Sequence, residues 1–211
     1  LAGPWEVASS EDVAGRGPNN THIPCSGTYE PESPLPVSEL EGRLIEMIRA
    51  DGNLDKRSQA LRFKFKKERK IRRCQELLDL AGLAYRSSVD KLGCTAIAVR
   101  LHPTVQKIAG LLGKGKDKRL GPWVLDLSAA ARSAMLDEPA FWDGHKASAT
   151  QSDGLVTLHS AKAGDAEWLA TAAVVTGRFS STTLNAPNTR GFSRQDSVIS
   201  RVSYKRKEHI K

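Results

Sequence analysis

The run Gly110-Leu111-Leu112-Gly113-Lys114-Gly115-Lys116-Asp117 comes close to a nucleotide-binding loop. Such a loop reads G-x-x-x-x-G-K followed by Ser or Thr: the glycines let backbone amides cradle phosphates, the lysine meets the outer phosphates, and the hydroxyl holds magnesium. Here Asp117 stands where the hydroxyl belongs. The context is also inverted, because a helical pattern precedes the run and a strand-like one follows it. Nucleotide hydrolysis is therefore not expected, and Lys114 to Arg119 reads as a basic loop.

A second constellation gathers Asp137, Glu138, Asp143 and His145 around Phe141 and Trp142. Carboxylates that hold magnesium beside a histidine that moves protons would suit a metal-dependent nuclease. The plainer reading ends a helix at Asp137 and Glu138, packs the two aromatics on the core and makes a turn of Asp143-Gly144. His22 and Cys25 lie close in sequence, but a finger-type metal site needs two such pairs. Cys74 and Cys94 stand alone and are expected as small buried hydrophobes. A cysteine nucleophile paired with His102, His145 or His159 rests on residue identity alone. The plainer readings assign no catalytic residue, no metal ligand and no cofactor.

Charge carries more information. The chain has 211 residues, 32 Lys and Arg against 24 Asp and Glu, and a formal net charge of +8. Residues 1–54 hold three bases and nine acids, so the remainder holds 29 bases and 15 acids. Between Lys56 and Arg73 lie ten bases and one acid, Glu68. Two further clusters follow: Lys114, Lys116, Lys118 and Arg119, and then Arg201, Lys205, Arg206, Lys207 and Lys211. Dense positive charge of this kind is the electrostatic footprint of a polyanion partner. The expected phosphate contacts are Arg62, Lys66, Lys67, Arg69, Lys70, Arg73, Lys114, Lys116, Arg119, Lys205, Arg206 and Lys207. Arg190 and Arg194 each precede a serine by three residues, a spacing that basic-directed kinases could use.

The elements that must position these residues can be read in outline. Residues 1–36 hold six prolines, five acids and one base, and read as an extended acidic arm. A single α+β domain is expected over 37–204, helical over 37–90 and mixed over 91–204, with a basic tail at 205–211. Ser38 and Glu41 form a capping box. Leu40, Leu44, Ile45, Met47 and Ile48 share a helix face, and Gly52 is expected as a left-handed stop. Asn53 would cap a second, long basic helix, although Leu61 to Lys66 also alternates with period two. Cys94–Leu101 reads as a strand, and Pro103 opens a short helix that Gly113 ends. Trp123–Leu127 reads as a strand, and Ser128 caps a helix over Ala129–Leu136. Leu155–His159, Trp168–Phe179 and Val198–Tyr204 read as strands, the middle one bent at Gly177. Helices first and strands later point to N-terminal helices packed with a mostly antiparallel C-terminal sheet. No internal repeat is visible.

Three cysteines without a framework suggest an intracellular, reducing compartment, or a virion. No secretory signal and no membrane-spanning run is apparent. The resulting expectation is a non-enzymatic structural protein that binds RNA or another polyanion, in the manner of a ribosome-associated, viral nucleocapsid or viral matrix protein. An anionic membrane surface offers similar charge, and the acidic arm would reach neighbouring subunits. The alternatives are the metal-dependent nuclease above and an adaptor that binds an acidic protein.

Overall fold

A computed structural model describes residues 27–54, 60–100, 102–113, 115–142, 145–146, 155–160, 163–178, 180–185 and 199–205. Its elements run in the order α1 (Glu39–Asp51), β1 (Asn53–Leu54), β2 (Leu61–Phe65), α2 (Glu68–Leu80), β3 (Tyr85–Val89), β4 (Thr95–Val99), α3 (Pro103–Leu112), α4 (Ala129–Asp137), β5 (His145–Lys146), β6 (Leu155–Ser160), α5 (Ala163–Val174), β7 (Ser180–Asn185) and β8 (Ile199–Lys205). The α+β class and the antiparallel pairing agree with the sequence reading.

The arrangement is a duplication. The strands form two four-stranded antiparallel sheets, ordered β1-β2-β4-β3 and β5-β6-β8-β7. Each sheet is entered from a helix, α1 or α4, and each has a helix, α2 or α5, between its second and third strands. The expectation of no repeat is corrected: the two halves share element order and strand order without visible sequence likeness.

Helix α1 begins as its capping box dictates, with the Glu41 amide donating to Ser38 Oγ at 3.2 Å and the Ser38 amide donating to Glu41 Oε2 at 2.8 Å. Gly42, Leu44, Ile45, Glu46, Met47 and Ile48 are all buried, so this is a central helix rather than a surface one. It crosses α4 closely: a Cβ on Gly42 would stand 2.3 Å from the Ala131 carbonyl oxygen. Buried Glu46 is held at both oxygens by Arg49, which also reaches Asp165 of the second half at 3.2 Å. The charges are compensated where they are buried, as burial demands.

Three expected elements change. The long basic helix is shortened, because Leu61, Phe63 and Phe65 alternate buried with exposed Arg62 and Lys64 to form β2, and helix begins only at Glu68. Trp168–Phe179 is not a strand; Ala166, Leu169, Ala172 and Ala173 bury one face at helical spacing in α5. Pro122–Val124 is a single 3-10 turn rather than part of a strand. Residues at the end of the expected arm dock on the body, where the Gly27 and Tyr29 amides donate to the carbonyls of Val174 and Val175 at the end of α5.

Candidate functional site

Asp51 is the last residue of α1, and Gly52 and β1 follow without a break. Gly52 has φ −73°, not the expected left-handed conformation. Glycine is required there by space, since a Cβ would lie 2.8 Å from the Ile48 oxygen. A carboxylate at a helix C-terminus faces the negative end of the dipole. Two cations offset this. Lys70 Nζ donates to Asp51 Oδ2 at 2.7 Å, and buried Lys118 donates through Nζ to the carbonyls of Ile48 and Gly52, on either side of Asp51.

The exposed face of the first sheet begins beside this acid. Arg62 of β2 pairs with Ala98 of β4, which pairs with Arg86 of β3; Lys64 pairs with Ala96, which pairs with Ser88. Alanine in the middle strand leaves a trough between basic flanks. An open cavity of about 610 Å³ lies over it, lined by Asp51, Asn53, Arg62, Lys64, Arg86 and Ser88 among others. At its far edge the Lys64 ammonium contacts Asp90 at 2.8 Å; that hydrogen bond, with the amides of Cys94 and Leu92, holds the Asp90 carboxyl below its usual range. In the second sheet the register places Arg201 opposite His159, Ser203 opposite Thr157 and Lys205 opposite Leu155.

The acidic cluster of the second half is not one site. Asp137 meets buried Arg178 at 3.2 Å. Glu138 is fully buried between Arg43 at 2.8 Å and Arg73, whose Nε donates at 3.0 Å and whose Nη2 donates as well. Both acids serve as counter-charges in the packing. Asp143 lies outside the described residues, as does the side chain of His145, which opens β5 opposite Thr157. Pro139–Phe141 form a 3-10 turn, and fully buried Trp142 stacks on Phe65 with ring centroids 6.1 Å apart. From Trp142 the chain passes through Asp143-Gly144 into β5, as it passes through Asp51-Gly52 into β1.

The expected phosphate contacts separate into two sets. Arg62, Lys66, Lys67 and Arg119 are exposed. Arg69, which is exposed as well, Lys70 and Arg73 have other duties, on the carbonyls of residues 140–142, on Asp51 and on Glu138. Lys114, Arg206 and Lys207 lie outside the described residues, as do the side chains of Lys116 and Lys205. Sequence reasoning missed Asp51, Lys64 and Arg86. The signal that could have found Asp51 was the recurrence of Asp-Gly between a helix and a strand in both halves. The Gly110–Asp117 run begins inside α3, and its described end, Gly115–Asp117, is a 3-10 turn. Buried Cys74 has its thiol pKa pushed far up by desolvation, which leaves it inert.

No protein family and no curated protein matches this sequence. Solved structures do match in fold. I-DmoI in complex with its target DNA, in the presence of manganese, gives a TM-score of 0.52 at 10% identity, over 79% of this chain and 87% of that one. Variants of I-DmoI, there called a homing endonuclease, give a TM-score of 0.52 over 79% and 88%. Full-length DUF199/WhiA from Thermotoga maritima gives 0.53 at 12% identity over 81% of this chain, which spans about half (51%) of that protein. The expectation of a non-enzymatic component of a ribonucleoprotein, ribosome-associated or viral, is corrected by these findings. The architecture is one that a DNA-bound endonuclease carries. No helix among the described residues is long and apolar enough to cross a membrane.

Proposed function

We propose that this chain is a DNA-binding endonuclease, cleaving a phosphodiester bond beside Asp51 while the exposed face of the first sheet holds the duplex. The observation that carries this is the placement of Asp51: an acid at the end of the central helix, lining the same cavity as Arg62, Lys64 and Arg86. Cations on a sheet position a phosphate backbone, and a carboxylate at their edge has no use in binding phosphate. The duplication gives Asp143 the matching place in the chain, between α4 and β5. Of the nuclease alternative, Asp143 is retained, and Asp137 and Glu138 are not.

Such chemistry implies a divalent cation, and the donors fit one. Hard cations such as Mg²⁺ take one or two carboxylates and complete their shell with water and substrate phosphate oxygens. Asp51 would hold the ion, which when bound would supply Lewis-acid polarisation of the scissile phosphate. Arg62, Lys64 and Arg86 bind the flanking phosphates. Lys70 fixes Asp51 Oδ2 in direction and keeps a positive charge beside the developing phosphorane. In the hydrolysis, a water oxygen bonds to phosphorus, one ester P–O bond breaks, and the leaving oxygen takes up a proton.

The test uses a randomised duplex pool with Mg²⁺. The wild-type chain is expected to enrich a cleaved sequence, and Asp51→Asn or Asp143→Asn to bind that sequence without cutting it. A second reading, a DNA-binding protein without cleavage, is favoured by the Lys70 ion pair on Asp51. Sequence-selective binding with no cleavage by the wild type in Mg²⁺ or Mn²⁺ would establish it, and absence of duplex binding would overturn both.

A further inference from the structure

Three arginines of the first sheet stand apart from the rest. Every other arginine with a described side chain donates to an acceptor of the chain, from Arg43 on Glu138 to Arg132 on the Tyr29 carbonyl and Arg178 on Asp137. Arg62, Arg86 and Arg100 are exposed and have no hydrogen bond or ion pair among the described residues. All three line one open cavity of about 400 Å³. Like charges brought together repel, and no carboxylate is among the described residues lining this cavity, so an anion would complete the site.

The register accounts for the gathering. Ala98 of β4 pairs with both Arg62 of β2 and Arg86 of β3, so the two arginines flank it across the sheet. Val99 pairs with Leu61 and Tyr85, so Arg100, the next residue, comes between Ala60 and Ala84. Each arginine therefore has alanine as its neighbour, and Ala60, Ala84 and Ala98 line the cavity with them. The adjoining cavity over the trough shares Arg62, Arg86 and Ala98, and it is the one that Asp51 lines. A phosphate released beside that acid would have a three-arginine pocket next to it on the same sheet.

We propose that Arg62, Arg86 and Arg100 bind a phosphomonoester, the terminal phosphate of a cut nucleic-acid strand. An internal phosphodiester carries a single charge and two unesterified oxygens. A terminal phosphate carries close to two charges at neutral pH and three such oxygens, one for each planar guanidinium fork. Arg62 and Arg86 meet backbone phosphates in the intact duplex, and Arg100 adds the third arm that distinguishes an end. The proposal rests on the endonuclease reading only for the source of the phosphate, because the pocket itself requires no cleavage. Under that reading, the pocket retains the product after the cut.

The experiment measures binding of three short duplexes of one sequence, in magnesium-free buffer, with ends that are all hydroxyl, all 5′-phosphate or all 3′-phosphate. The wild-type chain is expected to bind one of the phosphorylated duplexes about tenfold more tightly than the hydroxyl-ended one, the worth of one charge-assisted hydrogen bond. Arg100→Ala removes an exposed side chain and strands no partner, so it is expected to fold and to bring that ratio to about twofold or less. Lys64→Ala, outside the pocket, is expected to weaken all three duplexes alike and keep the ratio. Equal wild-type affinities for the three duplexes overturn the proposal. So does a ratio that survives Arg100→Ala, or one that falls as far in Lys64→Ala, the mark of net charge alone. Cleavage assayed separately in Mg²⁺ distinguishes the two readings. End preference without cleavage leaves the pocket standing and fails the endonuclease, cleavage without end preference overturns the pocket alone, and no binding of any duplex overturns both.

Discussion

At the residue scale, Asp51 and Lys70 explain each other. Lys70 is mostly buried, and its ammonium needs the carboxylate it meets at 2.7 Å. Asp51 keeps about a fifth of its side chain accessible, 21%, so water shares in its solvation. Removing one partner is therefore unequal in cost. Asp51→Asn leaves a buried cation without its counter-charge and should cost about 2 kcal/mol, within the range for a stranded polar group. Lys70→Met strands only a part-solvated acid and should cost less. The double variant should recover most of the loss in urea unfolding while still failing to cleave DNA. A double variant as unstable as the sum of the singles would show that the pair is not coupled. The same residues show why sequence alone did not reach the site. Asp51 carried no motif that marked it out, and Lys70 read as a phosphate contact; only the fold joins residues 19 positions apart.

At the element scale, what the sequence made legible is what local periodicity controls. The Ser38–Glu41 box, the Pro103 start and the Ser128 cap are satisfied by neighbouring backbone, and the three helices begin there. The misreadings come where composition and pattern conflict. Val174, Val175 and Thr176 gave α5 a strand-like texture, but its small buried alanines pack at helical spacing. Leu61 to Phe65 sits among helix formers, yet alternation decided it, because β2 must bury three large side chains against the core while leaving Arg62 and Lys64 out. Gly42 is a glycine within a helix, a placement that normally costs about 1 kcal/mol against alanine. Its reason is the helix crossing, where an added Cβ would fall 2.3 Å from a backbone oxygen that cannot move as a side chain would. Gly42→Ala should therefore destabilise by about 2 kcal/mol despite its better propensity. That is a fall in Tm of roughly 6 °C for a chain of this size. A rise in Tm would mean that α1 and α4 do not meet as closely as described.

At the scale of the whole molecule, the excess charge after residue 54 no longer reads as one basic surface. Part of it is spent inside: Lys70 on Asp51, Arg73 on Glu138, Lys118 on the end of α1, Arg178 on Asp137. What remains for a partner among the described residues of the first half includes the exposed row across its sheet, beside exposed Lys66 and Lys67. Such a row would suit a duplex, whose phosphate backbone presents charge at regular intervals. Counterion release makes this measurable, because each neutralised phosphate contributes about 0.9 to the slope of log affinity against log salt. Changing Arg62, Lys64 and Arg86 together to Ala should lower that slope by about 2–3. Lys64 counts fully even though it meets Asp90, because an ion pair so exposed is weak and yields to a phosphate at little cost. Lys70→Met should leave the slope unaltered, although Lys70 lies in the densest run of positive charge in the sequence. A slope that falls for Lys70→Met and not for the sheet triple would move the duplex off the sheet and onto the first turn of α2.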